Sequence, residues 1–336
     1  GDIYAPAERA RMQGYLSAVF GASSIAGPLL GAFIVEHLNW ALVFWVNLPV
    51  GLATMVMLWL FLDERLERRR HRVDYLGAGL LMLGVGALML VVIQVESLSA
   101  TAIQVFLAIA AVALGALAVQ EMRTPEPIIP FHHWRIPVIA VGNFGCFILG
   151  AVMMCNAAYL PTYIQGAMGR SPTIAGLALG ASSVAWMFGT IASGRLMVRT
   201  SYRATGVIGG LVAIGGSAVF LALEPARGPF LAYLGAAILG LGLGFCNTTF
   251  VVAVQTTASW QERGAVVSAN MFMRIIGQSL GAGLFGAILL YRLARQVPQA
   301  GDQINRLLEP ALRQSLGSVR IAQLSEAIGN AMHDVY

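Results

Sequence analysis

The sequence predicts an all-α, polytopic membrane bundle, and three observations carry the prediction: composition, the length of the apolar runs, and where the charges fall. Of the 336 residues, 57% are hydrophobic and only 11% charged, a balance foreign to a water-soluble domain of this size. Crossing the hydrocarbon core takes about 20 mainly apolar residues. Nine stretches meet that length, at 14–35, 41–62, 75–95, 101–119, 137–161, 173–193, 204–223, 230–254 and 265–290, each bounded by charge, proline or a polar cluster. Strands of a closed barrel would be about half as long and would alternate apolar with polar residues, whereas these runs are continuously apolar.

Charge orients the runs. All 21 basic residues are Arg, and cytoplasmic loops carry the excess of positive charge. The segment Asp63–Arg72, with Arg65, Arg68, Arg69, Arg70 and Arg72, is therefore expected inside. Alternation then puts Arg9, Arg11, Arg123, Arg135, Arg195, Arg199, Arg203 and Arg263 on that side, and only Arg170 and Arg227 in the short loops opposite. The tail from Arg292 to Asp334 falls outside by the same count, and its amphipathic patterning predicts short helices beyond the membrane. Its five Arg residues run against the charge rule, which long loops obey weakly. The net charge of +5 thus speaks of membrane orientation rather than of nucleic acid.

Several motifs invite other readings. Cys146, Cys155 and Cys246 lie within apolar runs without paired spacing, which assigns them to packing rather than to a metal site or a disulfide framework. Gly277-Gln278-Ser279-Leu280-Gly281 fits the Gly-x-Ser-x-Gly pattern of a hydrolase elbow. That chemistry needs a strand, a sharp turn and a helix, whereas here the pentapeptide sits inside an apolar run and suits close helix packing. Gly240, Gly242 and Gly244 lack the preceding strand and the spacing of a dinucleotide-binding loop. His132 and His133 could form a metal or proton-relay pair, but no second pair of ligands accompanies them, and a solvated linker is the plainer reading. The sequence therefore proposes no enzyme and no cofactor.

A repeat lies at an offset of 250 residues: Gly14 matches Gly264, and Gly27-Pro28-Leu29-Leu30-Gly31-Ala32 lies over Gly277-Gln278-Ser279-Leu280-Gly281-Ala282. Both copies should run in the same direction across the membrane, as parallel repeats about an axis normal to it do. Within the first copy, the stretch from Ser23 to Ala32 resembles the antiporter motif of major facilitator superfamily drug exporters, here Gly27, Pro28 and Gly31, with Ser23 and Ala32 where glycines are expected. Proline removes a backbone hydrogen bond and small residues permit tight contact, so such a span bends yet stays sealed. Trp40, Phe44, Asn47, Pro49 and Gly51 resemble the Trp-x-x-x-Phe-x-x-Asn-x-Pro-x-Gly signature of the fourteen-span branch. There Asn47 would cap or cross-link, and the aromatics would anchor at the interface. Further matches are Asp74 with Gly77, Pro127 to Pro130, and Tyr159 to Gln165 followed by Gly169, Ser171-Pro172 and Ala175-Gly176. Gly194, Arg195 and Arg199 resemble a degenerate copy of the cytoplasmic loop motif, with Val198 where an Asp often stands.

The resemblance covers nearly the whole chain and makes its runs the fifth to thirteenth spans of that branch. The chain starts at Gly1 rather than Met, so both ends are expected to continue, into four earlier spans and one last span. The implied layout is 1–62 as the end of an N-terminal six-helix bundle, 63–135 as cytoplasmic loop, inserted helix pair and linker, 136–291 as five spans of a C-terminal bundle, and 292–336 as an extracytoplasmic loop. The implied activity is proton-driven export of amphipathic small molecules by alternating access in a bacterial inner membrane, among membrane lipid. Whether a periplasmic adaptor protein joins the path is left open. Expected cavity residues are Phe20, Asn143, Phe144, Met153, Met154, Asn156, Tyr159, Trp186, Met187, Phe245, Asn247, Asn270, Met271, Arg274 and Gln278, a Met-rich and aromatic lining suited to varied amphiphiles. The same scaffold could instead export one metabolite, peptide or siderophore. A membrane-embedded lipid enzyme would need clustered intramembrane acids or His, which these runs lack, and a structural subunit would not require the repeat. Arg274 is the one charge deep in a run, roughly 14 Å past Ala265, where an unpaired cation costs several kcal/mol. It must face protein or a water-filled cavity.

Overall fold

A computed structural model describes residues 19, 23, 26–27, 30–61, 74–94, 98–124, 128, 131–225, 228–259, 262–296 and 317–335. Among them every regular element is helical. A helical segment at 30–37 is followed by α1 (Leu42–Trp45), α2 (Asn47–Phe61), α3 (Tyr75–Ile93), α4 (Ala100–Arg123), a 3-10 turn (Phe131–Arg135), α5 (Pro137–Thr162) running into a π turn (Tyr163–Ala167), α6 (Pro172–Arg199), α7 (Tyr202–Leu221), α8 (Phe230–Thr257), α9 (Arg263–Gln296) and α10 (Ser318–Val335). Eight of these stretches are long and apolar enough to span a membrane, counting α1 with α2 as one. They answer to the second through ninth runs of the sequence; most of the first, at 14–35, lies outside the described residues, as does the 63–72 loop.

The helices start where their caps sit. Asp74 accepts a hydrogen bond from the Gly77 amide at 2.8 Å, Ser99 from Ala102 at 3.2 Å and Ser201 from Ala204 at 3.1 Å. Pro137 and Pro172 occupy the first turns of α5 and α6, where a missing N–H costs nothing. Several helices outrun their apolar stretches, α6 reaching Arg199 and α9 reaching Gln296. Hydropathy marks only the part that meets hydrocarbon, so polar helical turns beyond it escape notice.

The body is α5 to α9, with α8 at its centre. Glycines let the backbones touch. A Cβ on Gly240 or Gly244 would strike the carbonyls of Ser182 and Trp186 in α6, and one on Gly242 would lie 2.7 Å from the Ala213 Cα in α7. Along a second seam, Gly150 of α5 faces the Arg274 carbonyl of α9, Gly277 faces the Phe147 carbonyl of α5, and Gly281 lies against Ala151. The pentapeptide Gly277–Gly281 is therefore helix-packing surface, with no strand or elbow. Small residues at such contacts supply the close approach that holds helices together in lipid. The α3–α4 pair packs on itself, Gly84 against Leu114, and α3 reaches the body where Val92 meets Gly283 of α9. No described residue lies within 4 Å of a Cβ built on Gly27 or Gly31, and α2 is exposed along its whole length. A hydrogen bond from the Thr173 hydroxyl to Glu36 ties the 30–37 segment to the start of α6.

At the far end of α5, Pro161 has no N–H to offer the preceding turn, and the helix passes into a π turn with Met168 N donating to Tyr163 O at 3.1 Å. Gly169, at φ 64°, closes it in the left-handed conformation that glycine adopts at helix ends. The amphipathic tail helix α10 docks here. Leu324, Ala327, Ile328, Ala331 and Met332 form its buried stripe at helical spacing. Ser325 Oγ donates to Gly166 O at 2.9 Å.

Candidate functional site

A cavity of about 200 Å3 opens among α5, α8 and α9, lined by Cys146 of α5, Asn247, Thr248, Val251 and Val252 of α8, and Asn270, Met271 and Arg274 of α9. Its back wall is a hydrogen-bonded row. Asn270 Nδ2 donates to Asn143 Oδ1 at 3.0 Å, and the Cys146 thiol donates to Asn270 Oδ1 at 3.2 Å. Both asparagines are buried, at 0 and 1% exposure, so the row costs desolvation that its mutual hydrogen bonds offset only in part, Asn143 Nδ2 having no partner among the described residues. Arg274 is half-buried, eleven residues and so roughly 16 Å into α9. Its carbonyl lies in the seam with Gly150 while its side chain faces the cavity. Among the described residues no carboxylate lines that cavity or pairs with the guanidinium. The site therefore offers one cation, two amides and a hydroxyl in an otherwise apolar wall.

Of the cavity residues expected from sequence, Asn247, Asn270, Met271 and Arg274 line this space directly and Asn143 supports it from behind. The others sit elsewhere. Asn156 Nδ2 donates to Ser182 Oγ at 3.3 Å between α5 and α6, and the Tyr159 hydroxyl donates to the Ala282 carbonyl at 2.6 Å. Gln278 Nε2 reaches the Met153 sulfur at 3.4 Å. Trp186 packs against the main core, while Phe245 is buried beside Gly209. Phe144 is exposed and stacks with Phe147, and Met154 and Met187 are half-buried. Phe20 and Pro28 lie outside the described residues. Arg195 and Arg199 are exposed near the end of α6, with open space beside Gly194. Cys146, Thr248, Val251 and Val252 were not expected. Thr248 donates to the Gly244 carbonyl at 3.0 Å as any helical threonine can, and the valines carry no polar signal.

A second grouping lies where α5 and α9 begin. His133 Nε2 stands 3.5 Å from Glu262 Oε1, and the His132 and His133 rings are 4.0 Å apart. The histidine pair thus has a third polar partner that linear spacing could not reveal. Ser259 Oγ donates to Glu262 Oε2 at 2.6 Å. That hydrogen bond, with a smaller contribution from the two imidazoles, holds the Glu262 carboxyl below the usual glutamate range.

The family profile of the Major Facilitator Superfamily matches residues 1–282. "Multidrug resistance protein 3" of Bacillus subtilis is 28% identical over 290 residues, covering 85% of this chain and 57% of that protein. The "Tetracenomycin C resistance and export protein" of Streptomyces glaucescens is 27% identical over 297 residues, covering 87% of this chain and 55% of its own. The chain thus spans about half the length of the curated relatives it matches. Among solved structures, a bacterial homolog of the human lysosomal transporter Spinster, in an inward-facing and unoccupied conformation, superposes with a TM-score of 0.58 at 16% identity. The match covers 99% of this chain and 69% of that one, and establishes the fold.

Proposed function

The chain belongs to the Major Facilitator Superfamily, and from that premise we propose that the complete protein exports amphipathic small molecules, with the Arg274 cavity on the substrate path. The observation that carries this reading is the cavity itself. A half-buried cation a third of the way along α9 stands in it with Asn247, Asn270 and Met271, although no charged partner from the described residues holds it there. An intramembrane Arg is kept where it meets a pathway, a ligand or a counter-charge. The names of the relatives, which speak of multidrug resistance and export, support drugs as the substrate class. The resemblance supports proton antiport by alternating access, the fourteen-span branch and the bacterial inner membrane, with 136–291 as a C-terminal bundle and 63–135 carrying the inserted pair. Arg274 then faces an acid from spans beyond this chain or a group on the substrate. Gly27 and Gly31 would play toward those spans the part that Gly277 and Gly281 play toward α5.

The test is ethidium efflux from cells expressing the complete protein. Arg274→Lys keeps the charge and loses the planar fork, while Arg274→Gln keeps hydrogen bonding and loses the charge. At matched membrane levels Lys should retain part of the efflux and Gln should reduce it to background. Wild-type efflux in the Gln variant would remove Arg274 from the mechanism.

A further inference from the structure

The geometry points to a divalent transition-metal site formed by His132, His133 and Glu262, at the end of the body where α5 and α9 begin. Their ligand atoms all lie within 4.8 Å of one another, and His133 Nε2 stands 3.5 Å from Glu262 Oε1. Two ligands on a tetrahedral zinc, at about 2.0–2.2 Å from the ion, are separated by roughly 3.3–3.5 Å. The His133–Glu262 pair already stands at that spacing, and His132, exposed on the adjoining position, has a ring nitrogen within 4.8 Å of both. Two imidazoles and one carboxylate suit zinc, cobalt or nickel rather than calcium or magnesium, which prefer oxygen alone.

The site is also supported. Ser259 fixes the second carboxylate oxygen of Glu262, as an outer partner does for a ligating carboxylate. His133 is only 9% exposed, so its ring is held by packing. Beneath lies a small buried cluster of Ile139, Val254, Ala258 and Val266, which joins the starts of α5 and α9 to the end of α8. The ligands come from two connections far apart in sequence, the 3-10 turn ahead of α5 and the turn between α8 and α9. A metal there clamps the linker that follows the α3–α4 pair onto the α8–α9 hairpin. None of the three ligands lines the Arg274 cavity, and the first cavity residue along α9, Asn270, lies eight residues or roughly 12 Å from Glu262, so the metal site stands or falls independently of the export proposal.

The complete protein, purified without a histidine tag and stripped with chelator, is titrated with Zn2+ by calorimetry and with Co2+ by visible absorption. One ion should bind per chain, with the intense cobalt bands of a four-coordinate site, and Zn2+ should raise the unfolding temperature. His133→Ala and Glu262→Gln should each weaken binding by at least about tenfold, since even an outer partner of a metal ligand is worth about 10–100-fold. The exposed His132→Ala should weaken it likewise while leaving the unfolding temperature of the metal-free protein unchanged. Glu262→His, which exchanges the carboxylate for a third imidazole, should keep binding. A bare His–Glu ion pair would make no such distinction. Absence of saturable binding by the wild type overturns the site, as does binding indifferent to His132→Ala and Glu262→Gln.

Discussion

Replacing Gly281 by Ala adds one methyl group at a place where two helix backbones touch. Its Cβ would lie 2.6 Å from the Ala151 Cα and 2.8 Å from the Ala151 Cβ, against ordinary contacts that begin near 3.4 Å. The shortfall is about 0.8 Å, and no rotamer change relieves it because the obstruction is main chain; α5 and α9 must part. Overpacking of this kind costs about 1–3 kcal/mol, while Gly→Ala in a helix returns about 0.8–1.0 kcal/mol of propensity. The net loss is therefore about 1 kcal/mol, with an upper end near 2. Gly215 of α7 supplies the contrast, since nothing lies within 4 Å of its Cβ position among the described residues. Gly215→Ala collects only the propensity gain, so the two variants should differ by about 1–3 kcal/mol with opposite signs relative to wild type. SDS-induced unfolding of the purified complete protein, followed by tryptophan fluorescence, measures both. A Gly281→Ala protein as stable as Gly215→Ala would refute the argument that α5 and α9 meet through their backbones.

Asp74→Ala should lower stability by about 1–2 kcal/mol, because Asp74 caps α3 and also accepts from Gln120 at 3.4 Å and Thr124 at 3.2 Å, pinning α3 to the end of α4; thermal unfolding of the purified variant checks this. The orientation is checked by single-cysteine labelling with a membrane-impermeant maleimide in intact cells, where Asn330→Cys should react and Arg199→Cys should not. Both positions are exposed and the three cysteines of this chain are buried, and labelling of the unsubstituted protein sets the background. Reversed labelling would invert every loop assignment made from charge.

Apolar runs were legible because lipid demands about 20 apolar residues whatever their partners, and eight of nine have their helices among the described residues. The tail was legible as amphipathic, and α10 has that stripe, but its docking on the π turn depends on Pro161 and on Gly166 about 160 positions earlier. Side-chain partners were the hard part. Tyr159, Asn156 and Gln278 share the composition of cavity residues, yet each turns a polar atom to a neighbouring helix. Polarity in an apolar run announces that a group must be satisfied, not by whom. Which face of α8 meets α9 is decided by helix rotation, so Thr248, Val251 and Val252 emerge only once the helices are packed. The Glu262–His133 contact joins residues far apart in sequence and left no local trace.

The glycine seams bear on how this lining can change over generations. Cys146 and Arg274 sit beside Gly150 and Gly277, so the spacing between the α5 and α9 walls of the cavity is set by main-chain contact, while Gly244, just before Asn247 and Thr248, sets how closely α8 lies on α6. Lining and frame are thereby uncoupled. Substitutions at Asn247, Thr248, Val251 or Met271 re-tailor the chamber's chemistry without parting α5 from α9, whereas any side chain at Gly150 or Gly277 parts them before it alters the chemistry. A change in what the chamber can hold would come from the former, with the two glycines held constant by purifying pressure.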